Sequence, residues 1–175
     1  LILLRTRKMD EIQNKPRVGS ARKVARQLLK DTGVSKLPIM IKDVVNQIKK
    51  SSDLSVYHWA FGYDTDGIQV TQGDSATIGY NQAQHRHRQR FTVAHEIGHF
   101  MMGHTNGNSI FDLNSKKPEE IEANQFAAEL LMPLAFLNKE IKKGNKDAKN
   151  LAQVFDVSEE SVWWRLRECN LIGKM

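Results

Sequence analysis

The sequence predicts an α+β protein, mainly helical, with a small three-stranded antiparallel sheet beside a helix that carries an H-E-x-x-H motif. Three observations predict it. Apolar residues at 91, 94, 97, 98 and 101 recur at helical spacing through His95-Glu96-Ile97-Gly98-His99. Between 54 and 80, three short stretches of strand-like composition are divided by turn residues. From Pro118 to Pro133 the chain starts acidic and turns apolar, the pattern of a helix with two defined ends.

The elements follow in order. Residues 20–30 read as a helix with Val24 and Leu28 on one side. Residues 41–50 read as a second, with Ile41, Val44, Val45 and Ile48 on one side; Gly33 and Pro38 separate the two. Residues 54–60, 67–71 and 75–80 are expected strands. Turn residues at 62–67 and 72–74 make an antiparallel meander the simplest connection. The motif helix is expected at 85–103, then a loop rich in Gly, Asn and Ser at 104–117. In the next helix Pro118 suits the first turn, Glu119 and Glu120 favour its positive end, and Pro133 stops it. A shorter helix is expected at 134–143.

The motif carries the chemistry. Four-residue spacing puts His95 and His99 one above the other on one helix face. Two imidazoles so placed can hold one Zn²⁺, and Glu96 between them can take a proton from water. A catalytic zinc site needs a third protein ligand. His104 lies about 140° off the His95/His99 face by helical twist and reads as a helix-end histidine. The longer H-E-x-x-H-x-x-G-x-x-H pattern fails here, since the chain has Met102 and Thr105. The acidic segment supplies three candidates. Glu120 ranks first because Glu120, Asn124, Ala127 and Leu131 form one stripe that turns apolar and so points inward. An amide at Asn124 can then hold a zinc-bound histidine by its other ring nitrogen. Glu122 ranks second and Glu119 third.

These residues resemble the ImmA/IrrE family of zinc metallopeptidases. The resemblance rests on two blocks in order: Arg90-Phe91-Thr92-Val93-Ala94-His95-Glu96-Ile97-Gly98-His99, and the segment from Glu120 to Pro133. It covers roughly residues 20 to 170 and is motif-dense from 76 to 133. It implies a compact relative of thermolysin-type enzymes, whose third ligand is a Glu with a polar residue four positions later, as Glu120 and Asn124 stand here. It also implies a substrate class, since members cleave DNA-binding repressors. The expected roles are therefore Glu96 as general base, His95, His99 and Glu120 as zinc ligands, and Asn124 behind them. An edge strand through Ala76, Ile78 and Tyr80 is expected to take an extended peptide substrate. Tyr80 and His104 are candidate oxyanion donors.

Composition bounds the rest. A length of 175 residues suits one domain, or one domain with a small appendage. The expected division is an N-terminal extension at 1–19, a metallopeptidase domain at 20–143, and a helix-turn-helix-like segment at 144–175 packed on it. No apolar run approaches the roughly 20 residues of a membrane span. Leu1–Leu4 is too short for a signal-peptide core. Cys169 is the one cysteine, which excludes an internal disulfide framework and suits a reducing, cytoplasmic setting. Residues 1–50 hold 13 Lys/Arg against 4 Asp/Glu, while 51–80 hold four Asp and no Lys or Arg. The basic third is spread out and lacks interleaved aromatics, so a solvated face is favoured over nucleic-acid binding.

Residues 150–166 read as a helix, a turn at Asp156, and a helix capped by Ser158. The second helix starts with Glu159-Glu160, which a phosphate backbone repels. Packing or substrate docking is favoured over DNA reading. Trp163 and Trp164 are expected in the core or at an interface, and His85-Arg86-His87-Arg88 as a solvated rim. The reading is a zinc endopeptidase acting on a protein, with a helix-turn-helix repressor as the expected partner. The rival is a non-catalytic regulatory module that binds a repressor or DNA.

Overall fold

A computed structural model describes residues 15–62, 65–104, 109–110 and 115–175. Most of the expected N-terminal extension and parts of the 62–67 turn and the 104–117 loop lie outside the described residues. Helix α1 (Val18–Thr32) buries Ala21, Ala25, Leu28 and Leu29, a stripe at the helical period, and ends at Gly33, whose φ of 70° serves a left-handed C-cap. Helix α2 (Ile41–Ile48) buries Val44, Val45 and Ile48.

The α+β class holds, and the sheet corrects the meander. Strands β1 (Asp53–Trp59), β2 (Gly67–Gln72), β3 (Ser75–Asn81) and a short β4 (Ser109–Ile110) lie in the order β1-β3-β2-β4. β2 and β3 form the expected antiparallel hairpin, Gln72 opposite Ser75, with Gly73 at φ 59° in the turn. β1, however, pairs with β3 in parallel, from Asp53 opposite Ser75 to Trp59 opposite Asn81. A meander follows from the rule that consecutive strands are usually neighbours. Burial decides otherwise here. Ala76, Ile78 and Asn81 of β3 are buried, whereas the second half of β1 exposes Tyr57, His58 and Trp59, as suits an edge.

β3 is therefore an interior strand, not the peptide-accepting edge expected of Ala76, Ile78 and Tyr80. Its main-chain groups pair with β1 on one side and β2 on the other. Ala76 and Ile78 belong to the core, and Tyr80 is half-buried against it.

Helix α3 (Arg86–Met102) leaves β3 after a short turn and is buried from Thr92 through His99. It packs on β3 and β2 and on helix α4 (Pro118–Leu131). The α3–α4 crossing is close at Gly98: a Cβ there would lie 3.2 Å from the Cα and carbonyl oxygen of Ala123 and 3.1 Å from the Phe126 ring. A side chain larger than a methyl at 98 would push the helices apart.

Helices α5 (Leu134–Lys142), α6 (Ala148–Phe155) and α7 (Glu159–Glu168) complete the chain before a 3₁₀ turn at Ile172–Lys174. Asp156 takes the left-handed turn at φ 54°, and the Ser158 hydroxyl caps α7 by accepting from the Ser161 N–H at 3.1 Å. One hydrophobic cluster runs from Ala21 through Phe126 and Phe155 to Leu171, so the last helices share the core of the first. Trp163 and Trp164 are exposed, so of the two places expected for them, core or interface, the core is ruled out; Val162, Arg165 and Leu166 face inward instead. Buried Arg165 pairs with buried Glu129, and its Nε donates to the Met132 carbonyl at 3.1 Å. Among the described residues no helix is long and apolar enough to cross a membrane.

Candidate metal centre

His95 and His99 sit on successive turns of α3, 0% and 3% exposed. Their Nε2 atoms approach to 2.9 Å. The Glu120 carboxylate, from the first turn of α4, completes a triangle: its Oε2 lies 3.1 Å from His95 Nε2 and its Oε1 3.4 Å from His99 Nε2. Four-coordinate zinc, with bonds of about 2.0–2.1 Å, needs ligand atoms about 3.3 Å apart. The cluster is buried, and its candidate ligand atoms all lie within 4.8 Å of one another. Glu96, on the same helix, is 0% exposed.

Charge sharpens the fit. Burial pushes His95 below its ordinary pKa, because a desolvated imidazolium is costly. Burial pushes Glu120 up, yet hydrogen bonds and charge from His95 and His99 more than offset this and leave it at about 2. The two demands conflict at His95: burial favours a neutral imidazole, whereas the carboxylate favours a protonated one. A small divalent cation among three deprotonated ligands removes the conflict, so the donor set fits zinc.

Of the three candidate glutamates, Glu120 alone joins the histidine pair. Glu119 is exposed. Glu122 is buried but engages other groups. Its Oε1 accepts from the Arg17 backbone N–H at 2.7 Å, its Oε2 from Arg17 Nη2 at 2.8 Å, and its Oε2 lies 2.8 Å from His104 Nε2. Burial raises the Glu122 carboxyl, but these bonds and the Arg17 charge hold it at about 2. Asn124, one turn beyond Glu120, places its Oδ1 2.9 Å from His95 Nδ1.

His104 is more than a helix-end histidine. Its side chain is 3% exposed, and its Nδ1 lies 3.1 Å from His99 Nδ1. Both ring nitrogens are engaged, which leaves neither for an oxyanion. The helical wheel puts His104 off the face because it assumes the helix continues. It stops at Gly103, φ 69°, and the reversed chain folds His104 back so that its N–H reaches the His99 carbonyl at 3.0 Å. Gly103-His104 was the available sequence signal.

The run from 85 to 88 is less a rim than a clasp. Arg86 donates to both Asp156 carboxylate oxygens, at 2.6–3.2 Å, and Arg88 pairs with Asp66. Arg90 reaches the Asp156 carbonyl at 3.0 Å and the Ile39 carbonyl at 2.9 Å. The start of α3 is thus tied to the turn before α7.

No curated protein matches the chain. Among solved structures, a Mycobacterium tuberculosis transcriptional regulator is similar with a TM-score of 0.62 over 85% of this chain, at 17% identity. At that identity the likeness is one of fold. The chain spans only 46% of that regulator's length. The family described as the IrrE N-terminal-like domain (Peptidase_M78) matches residues 52–167, more than half of the chain and the whole of the His95/His99/Glu120 cluster. The chain therefore belongs to the ImmA/IrrE peptidase family.

Proposed function

We propose that this chain is a zinc-dependent endopeptidase that cuts a DNA-binding transcriptional repressor of the helix-turn-helix type. The observation that carries the reading is the buried convergence of His95, His99 and Glu120, with Glu96 buried on the same helix as the two histidines. Membership of a peptidase family supports it. Zinc held by His95, His99 and Glu120 supplies a Lewis acid for the scissile carbonyl and brings the pKa of water toward neutrality. The Glu96 carboxylate takes the proton of the attacking water and delivers it to the nitrogen of the leaving amine. Asn124 accepts the Nδ1–H of His95 and so turns the Nε2 lone pair toward the site.

In this reading residues 20–143 form the peptidase unit, with 1–19 as an extension and 144–175 as a docked helix-turn-helix-like segment. That last segment is a poor DNA reader, because α7 opens with Glu159 and Glu160. The single cysteine suits a cytoplasmic enzyme.

The test uses the full chain, zinc analysis, and a helix-turn-helix repressor encoded beside it as probe. About one zinc per chain is expected, lost in His95→Ala and in His99→Ala. Glu96→Gln is expected to keep the zinc and to lower repressor cleavage by about 10²–10⁴-fold, the usual weight of a general base. A chain that binds repressor but cleaves none is the non-catalytic module instead. Zinc content unchanged in both histidine variants sinks the site.

A further inference from the structure

Both ring nitrogens of each histidine in the centre have partners, and the partners on the His99 side form a continuous chain. Arg17, at the N-cap of α1, gives its backbone N–H, Nε and Nη2 to the Glu122 carboxylate at 2.7, 3.1 and 2.8 Å. The same carboxylate lies 2.8 Å from His104 Nε2. His104 Nδ1 lies 3.1 Å from His99 Nδ1, and His99 Nε2 faces His95 and Glu120.

Hydrogen-bond logic gives this chain one direction. A carboxylate that takes several donors from a guanidinium and an amide can only accept, so His104 Nε2 must carry the proton. Arg17 Nη2 also lies 3.3 Å from His104 Nε2, but the shorter carboxylate contact decides the tautomer. A neutral imidazole protonated at Nε2 accepts at Nδ1. His104 Nδ1 therefore accepts from His99, and the proton of His99 sits on Nδ1. Its Nε2 is left with a bare lone pair directed at Glu120. On the other side of the centre Asn124 Oδ1 imposes the same tautomer on His95 in one step.

We propose that Arg17, Glu122 and His104 act in series as positioning residues that hold His99 in its metal-binding tautomer and orientation. The inference deepens the proposed function by giving the zinc site its second orienting arm. It also ties α1 to the centre, since Arg17 precedes that helix while Glu122 lies on α4. His104 and Glu122 bury their side chains, 3% and 4% exposed, while Arg17 closes the outer end at 58%. Burial of His104 and Glu122 makes their links costly to leave unmade, so loss of one member propagates to His99.

The experiment measures zinc affinity of full-length variants by chelator competition at fixed pH. His104→Leu removes the acceptor for His99 Nδ1–H and is expected to weaken zinc about 10- to 100-fold. His104→Asn offers an amide oxygen close to where Nδ1 stood and is expected to recover most of that loss, which a purely structural role for the ring does not predict. Glu122→Gln, further from the metal, is expected to give a smaller loss. Because the members act in series, the double variant His104→Leu/Glu122→Gln is expected to be no weaker than His104→Leu alone.

Parental zinc affinity in His104→Leu overturns the proposal, as does an equal loss in His104→Leu and His104→Asn. Additive losses in the double variant overturn the serial arrangement. If His104→Leu fails to fold, Glu122→Gln decides, and parental affinity there overturns the chain. Failure of the zinc site itself is distinguishable, because it appears as absent zinc in the parent or retained zinc in His95→Ala.

Discussion

Glu120 and Asn124 stand one turn apart on α4, and each meets the histidine pair differently. Glu120 faces the two Nε2 atoms, whereas Asn124 meets His95 from behind at Nδ1. The ranking of their effects follows. Glu120→Ala removes one of three ligands, the only one that bears a charge, and is expected to abolish tight zinc binding. Asn124→Ala leaves the donors but frees the ring, and is expected to cost about 10- to 100-fold. Glu119→Ala, at an exposed position, is expected to leave affinity at the parental value. Chelator competition on the three purified variants checks this order. An Asn124→Ala protein with parental affinity would remove the amide from its orienting role. The stripe Glu120-Asn124-Ala127-Leu131 was readable from sequence because one helix carries all of it. The link from Glu122 to His104 was not, because a wheel cannot follow the chain past Gly103.

Between elements, the decisive contact is the crossing of α3 and α4 at Gly98 and Ala123. The proposed ligand set is split across these two helices, so their separation sets whether Glu120 reaches His95 and His99. Gly98→Ala has opposed effects. Alanine favours the helix by about 1 kcal/mol over glycine, yet its Cβ meets the Ala123 backbone at 3.2 Å. Gly98→Val has no such ambiguity: the β-branched side chain must displace α4. It is expected to cost about 1–3 kcal/mol of stability, the usual penalty of overpacking, and to weaken zinc as Glu120 moves outward. Urea denaturation and chelator competition on the same variant read the two effects. Parental values in both would show that α4 yields at this crossing without carrying Glu120 away from the histidines. Helix boundaries were legible because caps and prolines mark them locally, as at Gly33, Pro118 and Ser158. The parallel β1–β3 pairing was not legible. Strand order depends on which strand the helices bury, and that depends on α3 lying across β3 and β2.

At the scale of the whole molecule, the C-terminal helices share the core and are also clasped to the motif helix at one acidic turn. Asp156 lies between α6 and α7 in a left-handed conformation and receives Arg86, with Arg90 at 3.2 Å and His87 at 3.4 Å beside it. Burial pushes the Asp156 carboxyl up, but the Arg86 hydrogen bond and the charges of Arg90 and Arg86 outweigh this and hold it below its ordinary value of 3.8. A carboxylate with a depressed folded-state pKa adds stability above its unfolded value, and that stability is lost as pH falls through the folded value. The clasp is therefore fully engaged at neutral pH and releases only below about pH 4. Asp156→Asn isolates this charge, since asparagine tolerates the left-handed turn and keeps one acceptor oxygen. Its thermal midpoint is expected to lie below that of the parent at pH 7 by a few degrees. The gap should narrow as pH drops from 4 toward 2, where the parent carboxylate is protonated too. The comparison of the two proteins cancels the titration of Glu120 and Glu122, which fall in the same range. A gap that stayed constant from pH 7 to pH 2 would assign the role of Asp156 to its turn geometry and not to its charge. The docking of the C-terminal segment would then rest on its apolar face and on the buried Arg165–Glu129 pair.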